Sequence, residues 1–173
     1  METYLVFVNI AANNNKFWSA KIDGNNVIVN WGRIGCQPQE KIHSFHTQFS
    51  AQQKFNSLKS NKISKGYRVA IKDLDSTQHE LIKQGIRLLE QIKPLVEQRN
   101  YKSHFIRLLE EYLKIVPTPV GMKLIPEYLY RNVGDVEHQI SILNSLLPNV
   151  KTVESKPISL KSIGKNFWRN IVD

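Results

Sequence analysis

Asn30-Trp31-Gly32-Arg33-Ile34-Gly35 stands where a strand-like run gives way to the most basic third of the chain. Its glycines permit backbone conformations closed to other residues. Trp31 offers a broad stacking face, and Arg33 a rigid fork of donors that suits phosphate or carboxylate. Upstream, Val27-Ile28-Val29-Asn30-Trp31 and the alternating Lys16–Ile22 flank Asp23-Gly24-Asn25-Asn26, whose residues suit the positive φ of a hairpin turn. Tyr4–Val8, rich in β-formers, is a strand before them, joined by the loop Ala11–Asn15. Downstream, Gly35–Gln39 leads into a fourth strand, Glu40–Phe45.

Ser50 then caps a helix with Ala51, Phe55, Leu58 and Lys62 or Ile63 inward and Lys54, Lys59 and Lys62 on the other face. Lys65-Gly66-Tyr67-Arg68-Val69-Ala70 closes it at the glycine and gives a last strand. The expected class is α+β: a small antiparallel sheet with one helix over residues 1–72, followed by an α-helical bundle over 73–148 and a basic amphipathic tail over 149–173.

Charge is distributed unevenly over the 173 residues. Residues 1–72 hold ten Lys/Arg against three Asp/Glu, net +7; residues 73–148 hold nine against ten, net −1; residues 149–173 hold five against two, net +3. Between Lys41 and Lys72 there are seven basic residues and no acid, with His43 and His46 added. An acid-free run of this length points to a polyanionic partner, and a solvated face is the alternative. Apolar runs are short and Met1-Glu2-Thr3-Tyr4 has no leader character, so a cytoplasmic protein without membrane association is expected, nucleoid-associated if prokaryotic. The single cysteine, Cys36, excludes an internal disulfide and a cysteine-based zinc site. His43, His46 and Cys36 do not complete a metal site, and no phosphate-cradling glycine loop occurs, so neither metal nor cofactor is expected.

Asn15-Lys16-Phe17-Trp18, then Trp31-Gly32-Arg33-Ile34-Gly35, then Gln39, then a helix ending in Lys65-Gly66-Tyr67, together resemble the WGR domain of DNA-damage-dependent poly(ADP-ribose) polymerases and many bacterial proteins. The resemblance implies that Trp31 stacks on the terminal sugar of a DNA break, that Arg33 and Tyr67 reach the 5′-phosphate, and that Asn15 and Lys16 lie beside the backbone. Lys41, Lys54, Lys59, Lys62, Lys65 and Arg68 from the acid-free run complete the candidate nucleic-acid contacts. The residues alone also allow Trp31 and Tyr67 to be packing residues and Arg33 to pair with an acid of the helical segment. Pro38 stands where a glycine commonly precedes the glutamine of this family, which stiffens the loop after Gly35.

Asp73-Leu74-Asp75 reads as an acidic linker, and Ser76 as the cap of a helix reaching toward Arg99. Its stripe is Ile82, Ile86, Leu89, Ile92 and Val96, broadened by Leu81, Leu88 and Leu95, and Pro94 is expected to kink or shorten its last turns. Ser103 opens a second helix with Phe105, Ile106, Leu109, Tyr112, Leu113 and Val116 inward, stopped by Pro117. Asp135 caps a third with Val136, Ile140, Leu143 and Leu147, stopped by Pro148. Glu111–Pro117, Gly121-Met122-Lys123 and Ile140–Leu147 resemble, in order, the helical regulatory domain of the same polymerases. An ADP-ribosyltransferase domain needs on the order of 200 residues; 26 follow Leu147, so no enzyme activity is expected.

In the tail, Ile163, Phe167, Trp168 and Ile171 form an apolar edge beside Lys161, Lys165 and Arg169, suited to a partner groove, to folding back, or to nucleic acid. The expected function is non-catalytic DNA binding at ends, nicks or backbone, with RNA as a possible ligand. The alternative is an adaptor subunit that holds a partner protein through its bundle and tail, and a third reading is a regulator of a transferase in trans.

Overall fold

The computed structural model describes residues 1–71 and 78–148. They fall into two compact units, one of Met1–Ala70 with Val120–Leu124, the other of Ile71–Pro119 with the described residues from Ile125 on. In the first unit β1 (Glu2–Asn9), β2 (Asn14–Asp23), β3 (Asn26–Arg33), β4 (Gln39–Ser44), α1 (Gln48–Ser64) and β5 (Arg68–Val69) follow one another. The five strands form one sheet in the order β4-β3-β2-β1-β5, and every neighbouring pair is antiparallel. The β2–β3 hairpin turns at Gly24-Asn25 between paired Asp23 and Asn26, and Gly24 carries the positive φ of +55° that fits a two-residue turn to the strand twist.

Alternation along the strands sorts side chains to two faces. Leu5, Trp18, Ala20, Val27 and Val29 pack on one face with Ala51 and Phe55 of α1, while Val6, Ile34 and Ala70 form a second cluster with Tyr4 and Phe17. The Tyr4 and Phe17 rings stack at 5.5 Å and 11°, and burial pushes the Tyr4 hydroxyl up to about 12.

The start of α1 differs from the sequence expectation. Thr47, in extended backbone, is the cap: its hydroxyl accepts the N–H of Ser50 at 3.1 Å, so Ser50 is already the third helical residue. Helical phase also corrects the lysines. Lys62 lies on the inner seam with Ala51, Phe55 and Leu58, whereas Ile63 is 42% exposed. Lys54 and Lys59 are half-buried on opposite flanks of that seam, and the outward side is the uncharged Gln52, Asn56 and Ser60. At the other end Gly66, with φ +88°, donates to Ile63 at 2.9 Å and Tyr67 donates to Lys62 at 3.1 Å, the double closure of a Schellman motif.

The second unit contains α2 (His79–Glu97), α3 (Ser103–Ile115), the one-turn α4 (Pro126–Leu129) and α5 (Val133–Ser145), with α2 packed against both α3 and α5. Ile82, Ile86, Leu89, Ile92 and Val96 are all buried, as the stripe predicts. Gly85 is buried where helices approach closely: a Cβ there would stand 3.2 Å from Val116 Cγ2. Tyr112 and Tyr130 meet edge to face at 6.3 Å, and burial holds both hydroxyls well above their ordinary range.

Three expectations for these helices change. α2 runs through Pro94, which lies on its exposed side, and ends at Glu97, closed by Arg99 at φ +51°. α5 is capped by Asn132, not Asp135. Asp135 is the third helical residue, and its carboxylate accepts the N–H of Asn132 at 3.3 Å while the Asn132 side chain accepts the N–H of Asp135 at 3.1 Å, a reciprocal capping box. The short α4, begun by Pro126, was not foreseen because one turn has no periodicity to read. Ser76 and the tail 149–173 lie outside the described residues. Among the described residues no helix is long and apolar enough to cross a membrane.

Candidate nucleic-acid interface

Trp31, Gly32 and Arg33 complete β3 in regular pairing: Trp31 faces Trp18, Gly32 faces Phe17 and Arg33 faces Lys16. The chain turns only afterwards. Cys36 donates to the Arg33 carbonyl at 3.1 Å, and Gly35 takes φ +86° at the third position, where a type II turn needs glycine. Gly32 has no such demand. A Cβ there would meet Gln37 O, Phe17 Cε1 and Pro38 Cα at 3.6 Å, ordinary contact distance.

Arg33 is tied down within its own unit. Its Nε donates to Gly121 O at 2.7 Å, Nη1 to Asn13 O at 2.9 Å and Nη2 to Asn13 Oδ1 at 3.0 Å. Asn13, with the positive φ of +50° that asparagine tolerates, also accepts the N–H of Leu124 at 2.9 Å and donates to Met122 O at 3.0 Å. Three of the five guanidinium N–H groups are therefore committed, and the arginine joins the β1–β2 turn to the returning segment Val120–Leu124. The guanidinium is held by oxygens of Asn13 and Gly121, not by the acid of the helical segment that the residues alone allowed.

Trp31 is half-buried against the cluster that holds Trp18 and Phe55, so most of its face is packing surface. Tyr67 borders the same cluster, its ring 5.5 Å from Phe7, and burial pushes its hydroxyl upward. Lys62 bridges these aromatics, with Nζ 4.9 Å from the centre of Tyr67 and 5.8 Å from that of Trp18. Its ammonium is held below the usual lysine range first by desolvation, then by the charges of Lys65 and Lys16. Lys62 thus sits over two aromatic rings and feels the like charges of Lys65 and Lys16, so an anion arriving at its ammonium group would relieve that repulsion.

The other candidates separate. Lys41 and Lys54 act together on His43, whose imidazole is held below its ordinary range by desolvation and then by these two charges. Lys59 flanks the opposite side of α1. Arg68 pairs with Val6, a residue of the second cluster, so the register roots it on the sheet face away from α1. Asn15 is fully buried, and its carbonyl accepts the N–H of Ile34 at 3.0 Å. Ile163, Phe167, Trp168 and Ile171 lie outside the described residues. Asn13 was missed as a site residue; the Asn13-Asn14-Asn15 run after a strand was its signal, since asparagine suits positive φ. Among the described residues no group of three or more His, Cys, Asp or Glu side chains comes together to hold a metal.

Comparison with known families now bears on this geometry. Residues 1–73 match the family model of the WGR domain. The sheet-and-helix unit is a WGR domain, and its tripeptide is the Trp31-Gly32-Arg33 end of β3. Among solved structures the chain is similar to a Bacteroides fragilis protein determined by a structural genomics consortium, with 31% identity and a TM-score of 0.39 over 41% of this chain. The match spans 20% of that protein's chain. No curated protein matches.

Proposed function

We propose that the protein is a non-catalytic nucleic-acid-binding protein that recognises DNA ends, nicks or backbone through its WGR domain. The observation that carries this reading is Lys62 seated over the rings of Tyr67 and Trp18 while Lys65 and Lys16 act on it with like charge. Phosphate attraction supplies most of the affinity, so binding weakens steeply with salt and depends little on sequence. The match of residues 1–73 to the WGR family and the net +7 of residues 1–72 support it. Binding of blunt, nicked and covalently closed duplexes at two salt concentrations is the test. Tighter binding to blunt and nicked DNA is expected; equal binding to closed circles removes end recognition, and no binding at low salt removes the nucleic-acid role.

The adaptor reading is supported by Tyr128, 60% exposed with the Arg131 guanidinium 5.8 Å from its ring, the aromatic–arginine pairing that protein interfaces favour. Loss of a co-purifying protein on Tyr128→Ala, with DNA binding intact, would place the second unit in that role.

A further inference from the structure

We propose that the WGR domain has a second phosphate subsite, formed by Lys41 and His43 of β4 with Lys54 of α1, where contact with a nucleic-acid backbone is coupled to proton uptake by His43. The inference rests on the nucleic-acid reading above and adds a location and a pH dependence to it.

The placement follows from register and helical phase. Lys41 pairs with Val29 and His43 with Val27, so both stand at the β4 edge on the sheet face that α1 covers. Lys54 is half-buried on one flank of α1 and acts electrostatically on His43. Lys54 and Lys62 are eight residues apart, so the two lysine groups lie about 12 Å from each other along the helix. They address different phosphates.

The charges facing His43 are Lys41 from its own strand and Lys54 from α1, while β3 opposes it with the apolar Val27 and Val29. Glu40, the acid of β4, falls on the alternate face. Desolvation and these two ammonium groups disfavour the imidazolium in the free protein. A phosphodiester at the same place offsets both charges and accepts a hydrogen bond from the protonated ring, in which both nitrogens are donors. The bound complex therefore holds a proton that the free protein lacks, taken from solvent, and affinity rises as pH falls.

The test is anisotropy titration of a labelled blunt DNA duplex at constant low ionic strength between about pH 8 and pH 6, the range of histidine ionisation. Wild type should tighten several-fold toward the acid end. His43→Gln should bind more weakly than wild type at the acid end and lose the tightening, whereas His46→Gln should keep it. In parallel, the His43 ring signals of the wild-type protein should titrate at higher pH with the duplex than without it, a readout independent of any variant's folding. Binding that persists with an unchanged pH slope in His43→Gln, or a His43 midpoint the duplex does not move, overturns the subsite and leaves the broader reading standing. Absence of binding at every pH overturns both.

Discussion

The two units differ in where their sequence information is spent. In the WGR domain Lys62 sits between Tyr67 and Trp18 and is acted on by other lysines. In the helical unit three lysines are instead paired with carboxylates: Lys83 with Glu80 at 2.8 Å, Lys93 with Glu137 at 2.6 Å and Lys114 with Glu111 at 2.6 Å. Net charge therefore says less than placement. A lysine with a carboxylate at hydrogen-bond distance is already satisfied, whereas one weakened by other lysines gains from any anion that arrives.

The contrast can be broken from either side. Leu89→Ala, in the fully buried seam of α2, should destabilise the helical unit by roughly 2–5 kcal/mol, visible in thermal unfolding, because a leucine-sized cavity opens in a packed core. Lys16, Lys62 and Lys65 changed together to Ala should leave folding intact and flatten the salt dependence of DNA binding, with the log–log slope falling by roughly one for each contact removed. The same triple change at Lys83, Lys93 and Lys114 should leave that slope unaltered, since exposed ion pairs contribute little.

Smaller effects sharpen the comparison. Gly35→Ala should cost about 1 kcal/mol by chemical denaturation, since φ +86° is unfavourable for a residue with a Cβ, while Gly32→Ala should be nearly neutral. Arg99→Gly should stabilise the helical unit by up to about 1 kcal/mol by relieving the left-handed closure of α2. Least of all, stability of the free protein should decline slightly as pH falls below about 6.5, the ordinary histidine value, because the unfolded chain binds the proton that folded His43 resists. His43→Gln should flatten that decline.

Legibility in the sequence followed the range of the interaction. The hairpin at Gly24-Asn25, the buried stripe of α2 and the glycine closure of α1 rest on neighbours within a few residues, and each stands where the pattern put it. Helix starts were less readable. Thr47 and Ser50, or Asn132 and Asp135, are both capable caps three residues apart, and the choice depends on which backbone is extended when the helix begins. Asn15 shows the limit for the site: resemblance implies a place beside the DNA backbone, while strand alternation and packing bury it in this structure.

By itself the sequence determined the α+β class, the order of the strands and the longer helices, the acid-free basic run and the Trp31-Gly32-Arg33 motif, because turn chemistry, periodicity and charge are local properties. Only the tertiary structure decided which cations share a site and what Arg33 holds. Its partners, Asn13 and Gly121, are 20 and 88 residues away in the chain, and a guanidinium has no local preference that selects a carbonyl across such distances.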